Sequence, residues 1–197
     1  PWNGGMLLPL DQRGWETVAP SALPQLPGER PPHALDEAGI RAIVKMFADS
    51  AVRADRIGFD AMELHGAHGY LIHQFLSPVA NQRTDRYGGS LENRMRFALE
   101  VFDAMRAVWP ERKALGMRVS ATDWVEGGFD LQQCLVFAHA LKQRGCDWID
   151  VSSAGVAHNQ KIPIGPGYQV HLAKAIRAET GLTTIAVGMI TDPKQAE

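Results

Sequence analysis

Between positions 65 and 70 the chain reads His65-Gly66-Ala67-His68-Gly69-Tyr70, which places two imidazoles and a phenol within six residues. Imidazoles, neutral or cationic, donate hydrogen bonds to a carbonyl or phenolate oxygen and polarise it as charge develops, and a tyrosine hydroxyl can supply a proton. That set suits addition to a conjugated carbonyl. The same spacing leaves a metal reading open, with His65 and His68 as two ligands of a zinc-type site and Glu63 or Asp150 as the third. A single histidine at a strand end is usually a satisfied structural residue; it is the clustering that favours function.

Arg118 stands in mid-strand on the face it shares with Ser120, an unusual place for a long cation unless something negative or electron-rich meets it. One reading is an ion pair with Glu63 or Asp150. The other is a permanent cation beside the pyrimidine edge of a flavin, where it stabilises the anionic reduced ring. Near the end, Val187-Gly188-Met189-Ile190-Thr191 leads from a strand into a capped helix, a setting in which backbone amides often bind phosphate. A strand-to-helix turn needs glycine anyway, so that signal is weak by itself.

The elements that must position these residues follow from periodicity. Positions 1–35 are rich in Pro and Gly without a sustained period and read as a long loop. From the N-cap Asp36, apolar residues at Ile40, Ile43, Val44, Phe47, Ala51 and Ala54 predict a helix that stops at Gly58. A strand from Phe59 to His65 is followed by a loop through Gly88 and Gly89. Ser90 caps a helix with its buried side at Leu91, Met95, Ala98, Phe102, Met105 and Trp109. Leu115–Ser120 is a strand, Asp130 opens a helix that Gly145 ends, and Trp148–Ser153 is a strand. A helix near Val170–Thr180, a strand Thr183–Val187 and a helix start at Thr191-Asp192-Pro193 complete the series.

Strict alternation of strands and helices predicts an α/β fold with a parallel sheet, either doubly wound or a TIM (β/α)8 barrel. In each strand one alternating set is apolar and is expected to face helices: Met62 and Leu64, Met117 and Val119, Ile149 and Val151, Ile185 and Val187. The other set holds Glu63 and His65, Arg118 and Ser120, Asp150 and Ser152, Ala186 and Gly188. An open sheet covered on both sides would be apolar on both, whereas a barrel interior accepts polar residues near the carboxyl ends of its strands. The pattern therefore predicts a central-to-late part of a barrel, about four β/α units, with 1–197 as a single partial domain. Both chain ends read as cut.

Composition narrows the partners. The 197 residues are 45% hydrophobic and 21% charged with a net charge of -2, which provides no basic stripe for nucleic acid and no cationic face for a membrane. The two cysteines, Cys134 and Cys146, offer neither a disulfide framework nor a zinc cluster, and a reducing cytoplasm is expected. No Gly-rich Rossmann fingerprint is present.

The run from Asn81 to Arg94 (Asn-Gln-Arg-Thr-Asp-Arg-Tyr-Gly-Gly-Ser-Leu-Glu-Asn-Arg), with His65 through Phe75 before it, resembles the signature loop of the old yellow enzyme superfamily of NAD(P)H:flavin oxidoreductases. The likeness extends through Met117-Arg118-Val119-Ser120 and Ala186 to Ile190, and the opening Pro1 to Pro24 resembles the loop after the family's third strand. A pair of histidines, rather than histidine then asparagine, is similar to the bacterial branch of xenobiotic reductases and thermostable ene-reductases. The resemblance implies FMN as cofactor, NADPH or NADH as reductant, and an enone or related activated alkene as substrate. It implies that His65 and His68 hold the activating oxygen, Tyr70 donates the proton, Arg118 contacts the isoalloxazine, and Gly188 and Met189 contact phosphate. It also implies a homo-oligomer when full length. Asp85 and the arginines of the signature run are expected to pin their loop by ion pairs. Because further flavin contacts lie on other strands of the family's barrel, the 197-residue span alone is expected to bind FMN weakly or not at all. The alternatives are a dienoyl-CoA reductase-like flavoenzyme or an inactive half-barrel that self-associates.

Overall fold

Asp36, Ser90 and Asp130 each accept a hydrogen bond from the backbone N–H three residues on, at 2.7, 3.3 and 2.9 Å, and each opens a helix. Capping one of the otherwise unpaired first-turn donors in this way fixes where each helix begins. In the computed structural model, which describes residues 7–197, they start α1 (Glu37–Arg56), α3 (Leu91–Val108) and α4 (Leu131–Gln143). Between them stand β3 (Ala61–Gly66), the short α2 (Leu71–Leu76) and β4 (Ala114–Ser120). The chain continues through β5 (Trp148–Ser152), α5 (Val170–Thr180), β6 (Thr183–Ala186) and α6 (Pro193–Ala196), which Asp192 caps with proline at its start.

The four strands pair in the order β3-β4-β5-β6, all parallel. Helices α1, α3, α4 and α5 pack in sequence along one face of that sheet. Here Leu64, Met117 and Ile149 share a row and are buried with Phe97, Val101, Phe102, Phe137 and Leu141. Each such side chain contributes about 1.5–3 kcal/mol by leaving water. The opposite face carries no helix among the described residues, and its rows are polar. Glu63, Gly116, Trp148 and Thr183 form one row; His65, Arg118, Asp150 and Ile185 form the next toward the strands' carboxyl ends.

Gly116 is what allows the first of these rows to close. A Cβ there would lie 2.0 Å from the Trp148 ring, so the indole crosses the bare backbone and donates from Nε1 to Glu63 Oε2 at 2.8 Å.

Several expectations need amending. The opening loop contains a 3-10 turn at Leu10–Gln12 and a two-residue parallel ladder between β1 (Val18–Ala19) and β2 (His33–Ala34); positions 1–6 lie outside the described residues. The stretch after His65 is not all loop, since α2 interrupts it. In β6 the expected faces are reversed: Ile185 pairs with Asp150 on the helix-free face, and Ala186 pairs with Val151. The run Thr-Thr-Ile-Ala-Val is uniformly small or apolar, so alternation carried no signal about which set faces in. Among the described residues no helix is long and apolar enough to cross a membrane.

Candidate functional site

Strand β3 delivers His65 directly beside Arg118 of β4, whose other neighbour is Asp150 of β5, so three charged or chargeable side chains stand abreast on the helix-free face. The chain then leaves the sheet through His68 and Gly69, both in the left-handed region with φ of 58° and 76°. This turn folds the loop back over the strand. The His65 ring centroid comes to lie 5.3 Å from that of His68 and 5.4 Å from that of Tyr70. Tyr70 is 64% exposed, with its phenol open on the same face.

The loop's shape is fixed from several sides. The His68 N–H donates to Ser120 Oγ at 3.0 Å, and that hydroxyl donates to the Ala154 carbonyl at 2.8 Å. Gly69 packs against the β5–α5 loop so closely that a Cβ would meet the Gly155 carbonyl oxygen at 2.0 Å, and only glycine satisfies both that approach and its φ. Directly beneath, the Gly69 N–H donates to His73 Nδ1 at 2.9 Å and Gln74 Nε2 donates to the Gly69 carbonyl at 2.8 Å.

Electrostatics set the state of the imidazoles. His65 remains exposed as a residue, yet packing against its two ring neighbours desolvates it in part. That burial first, and the Arg118 cation second, push its pKa below the ordinary value. The same two causes, in the same order, lower His68. Both are therefore neutral at neutral pH, each with one N–H to donate. His68 Nε2 lies 2.7 Å from Ser152 Oγ; when that hydroxyl donates, the ring proton sits on Nδ1 and is available to a ligand oxygen.

Of the two partners considered for Arg118, Asp150 is the one found, at 3.3 Å, while Glu63 is engaged by Trp148. The contact is close enough for an ion pair but misaligned for a hydrogen bond. Arg118 Nε and Asp150 Oδ1 are both buried without a hydrogen-bond partner among the described residues. Burial raises the pKa of Asp150, and the adjacent guanidinium opposes that rise. A cation and an acceptor left unsatisfied at the centre of an open polar face are what a site for a polar planar ligand needs.

Gly188 and Met189 follow β6 with φ of 123° and 55°. The Gly188 carbonyl accepts from the Gly167 N–H at 2.7 Å, and its α-carbon abuts Gln169. The Gln169 side chain in turn accepts from Ser153 Oγ and lies 3.5 Å from Ser152 Oγ, which links this turn to His68 along the strand ends. His65, His68, Tyr70, Gly188 and Met189 thus lie at or just beyond the carboxyl ends of the strands, with Arg118 and Asp150 in the row beside His65. A cleft of about 560 Å³ lies behind the loop, with Gly69, Gln74, Arg30, Gln82 and His158 among its walls; it contains none of His65, His68 or Arg118. The convergence of side chains, not that concavity, marks the site.

Sequence reasoning missed His73, Asp123 and Gln169, and gave Ser152 a face but no role. His73 follows Gly69 by four residues, the spacing of one helical turn, and that was the available signal. The signature run behaves as expected of a brace: Arg83 pairs with Asp85 through Nε at 3.0 Å and donates to the carbonyls of Pro20 and Leu35. Asn81, buried, donates to the carbonyls of Phe75 and Tyr87 at 2.7 and 2.8 Å.

Known proteins share both sequence and shape with this chain. Residues 2–197 match the model of the NADH:flavin oxidoreductase / NADH oxidase family. The NADPH dehydrogenases of Geobacillus sp. (strain WCH70) and Bacillus subtilis (strain 168) are 46% and 45% identical over 182 residues, covering 92% of this chain and 53% of theirs. The chain thus spans about half the length of the curated relatives it matches. Among solved structures, morphinone reductase superposes with a TM-score of 0.74 at 32% identity, over 93% of this chain and 52% of that one. A 2-naphthoyl-CoA reductase in complex with 2-naphthoyl-CoA superposes at 0.84 with 27% identity, over 93% of this chain and 29% of that one. Together with the parallel strand order, these likenesses make the fold a part of a TIM barrel.

Proposed function

The chain belongs to the NADH:flavin oxidoreductase / NADH oxidase family, and from that premise we propose that the enzyme carrying it reduces the C=C bond of α,β-unsaturated carbonyl compounds, with FMN as cofactor and NADPH or NADH as reductant. The observation that carries this reading is the convergence of the His68 and Tyr70 rings to within 5.4 Å of His65, with Arg118 directly beside His65 on an open face.

The residues fit the cofactor. Arg118 offers a permanent cation whose side chain stays about one-third (31%) exposed beside Asp150, suited to the pyrimidine edge of an isoalloxazine. Gly188 and Met189, in turn geometry at the strand ends, are suited to holding the phosphate through backbone amides. Bound there, FMN would supply the hydride chemistry that links the nicotinamide to the β-carbon of the alkene. His65 and His68, neutral, orient the substrate by donating to its carbonyl oxygen and stabilise the negative charge that gathers there. Tyr70 holds a proton at Oη and releases it to the α-carbon, so that two electrons and two hydrogens are added across the double bond. Other parts of the barrel complete the flavin site, and the 197-residue span alone binds FMN weakly. Free, buried thiols at Cys134 and Cys146 support a reducing, cytoplasmic location.

Replacement of Tyr70 by Phe in the FMN-loaded enzyme tests this. Substrate reduction should slow by about a hundredfold or more, in the range of a lost general acid, while flavin reduction by NADPH keeps its rate. An unchanged rate of enone reduction rules out the assignment. The superposition on 2-naphthoyl-CoA reductase favours a second reading, in which the activated double bond belongs to an acyl-CoA thioester. Higher kcat/KM for an enoyl- or aryl-CoA than for the matching free enone selects that reading.

A further inference from the structure

We propose that His73, locked by Asp123 and aided by Gln74, is a positioning residue that sets the geometry of the His68–Tyr70 segment; the proposal rests on the reading of Tyr70 as proton donor. His73 and Asp123 are both fully buried, and Ser77 beside them is as well. His73 Nε2 lies 2.8 Å from Asp123 Oδ1, while Oδ2 of the same carboxylate accepts from Ser77 Oγ and from the Phe129 N–H, each at 2.6 Å. The carboxylate therefore cannot move without breaking three bonds.

The tautomer follows from the partners. A backbone N–H can only donate, so the 2.9 Å contact from Gly69 makes His73 Nδ1 an acceptor. The one ring proton of the neutral imidazole is then on Nε2 and is given to Asp123. This arrangement carries the rigidity of the β4–α4 loop, where Asp123 sits, through His73, fifty positions earlier in the chain, to the single amide of Gly69. The next residue, Gln74, takes the carbonyl of the same glycine at 2.8 Å. Both backbone groups of Gly69 are thus held by consecutive side chains of α2.

That glycine lies between the two residues whose placement matters. His68 adopts a φ of 58°, which a side-chain-bearing residue keeps only when its surroundings over-determine it. Tyr70 follows immediately and is open to solvent; its N–H donates to the Ala67 carbonyl and its carbonyl accepts from the Gln74 N–H, while its side chain makes no hydrogen bond among the described residues. Its ring leans on that of His65 and is otherwise directed from the backbone, where the clamp on Gly69 acts. Such displacements are costly: misplacement of a reacting group by about 1 Å can cost about a hundredfold in rate.

The two ring nitrogens can be mimicked separately. An asparagine at position 73 presents its amide oxygen near the place of Nδ1 and keeps an acceptor for Gly69. A glutamine presents its amide near the place of Nε2 and keeps the donor to Asp123 but leaves the Gly69 N–H unpaired. In the FMN-loaded enzyme, His73→Gln should slow the alkene-reducing half-reaction by about tenfold or more while flavin reduction by NADPH stays within about twofold; His73→Asn should restore most of the loss. Gln74→Leu, on the less buried side of the clamp, should show the same selectivity at about threefold and supplies the answer if His73→Gln does not fold. Selective 15N labelling of histidine adds a readout independent of turnover: the His73 ring should show a protonated Nε2 and an accepting Nδ1. Equal slowing of both half-reactions, equal effects of the Asn and Gln variants, unaltered rates in all three, or a ring protonated on Nδ1 would each overturn the proposal. Tyr70→Phe separates the two layers of inference. If it leaves alkene reduction intact, the proton-donor reading fails; if it impairs reduction while the His73 and Gln74 variants do not, only the clamp fails.

Discussion

Segments 65–70 and 81–94 lie a few residues apart, and the second holds far more charge: Arg83, Asp85, Arg86, Glu92 and Arg94, against two histidines and a tyrosine in the first. Yet the charged segment spends its polar groups on the protein itself. Asn81 and Arg83 hold backbone carbonyls, Arg86 and Tyr87 both meet Glu100, and Arg94 is buried with its guanidinium on the carbonyls of Gly89 and Leu76 and on Gln133. Segment 65–70 turns its rings to the open face instead. Density of charge in the sequence is thus a poor guide to chemistry. What separates a brace from a site is whether donors and acceptors are consumed by the fold or left over.

The comparison breaks most visibly if the two segments fail to divide stability from activity. Asn81→Ala removes the donor from two buried carbonyls, and an unsatisfied buried group costs about 1–3 kcal/mol. Urea unfolding should therefore show a loss of about 3 kcal/mol, with turnover per folded enzyme little changed. His65→Ala, on the exposed rim, should leave unfolding within about 0.5 kcal/mol while substrate affinity collapses. An Asn81 variant that is stable but inactive would place the brace in the site.

A smaller effect sharpens what the open face does. Asp150 is 8% exposed and supplies the only carboxylate within 4 Å of Arg118 among the described residues, partly cancelling the cation that, on the proposed reading, meets the flavin. Asp150→Asn removes the negative charge and keeps the shape. Stronger uncompensated positive charge favours the reduced, anionic ring, so the flavin midpoint potential should rise by about 30 mV, a tenfold change in a two-electron equilibrium. Spectroelectrochemical titration measures it; a fall in potential would mean that Arg118 does not face the ring.

Much of this arrangement could be read in the sequence, and the exceptions have local causes. The alternation of strands and helices was legible because α1 and α3 are long enough for the apolar stripe to repeat, and because Asp36, Ser90 and Asp130 mark their starts. The six residues of α2 make fewer than two turns, too few to display a period, so His73 and Gln74 were hidden inside an apparent loop. Strand β6 gave its existence but not its faces. Arg118 declared itself as a cation among apolar neighbours, whereas Asp123 did not: its meaning lies in a contact with a residue fifty positions away, and nothing in Thr122-Asp123-Trp124 foretells it. Side chains turned to the open face are marked by local oddity; those that hold them are marked only by the fold.

The smallest effect distinguishes the two segments by the pH at which each loses stability. His65 and His68 both have pKa values below the ordinary 6.5, through burial first and Arg118 second. The unfolded chain takes up their protons before the folded one does. Their contribution is intact above pH 6.5 and is lost as pH falls from there through the lowered folded values. In the brace, the Arg83 hydrogen bond chiefly holds Asp85 below its ordinary 3.8, so that contribution is intact above 3.8 and disappears only at more acid pH. Unfolding measured from pH 8 to pH 3 should therefore show a shallow decline beginning near pH 6.5, and a further one below 3.8. Arg118→Met should move both histidine titrations, followed by NMR, upward but not fully to 6.5, because the larger cause, burial, remains. If the arginine replacement leaves both titrations where they were, Arg118 does not share a field with the imidazoles, and the open face is not one site.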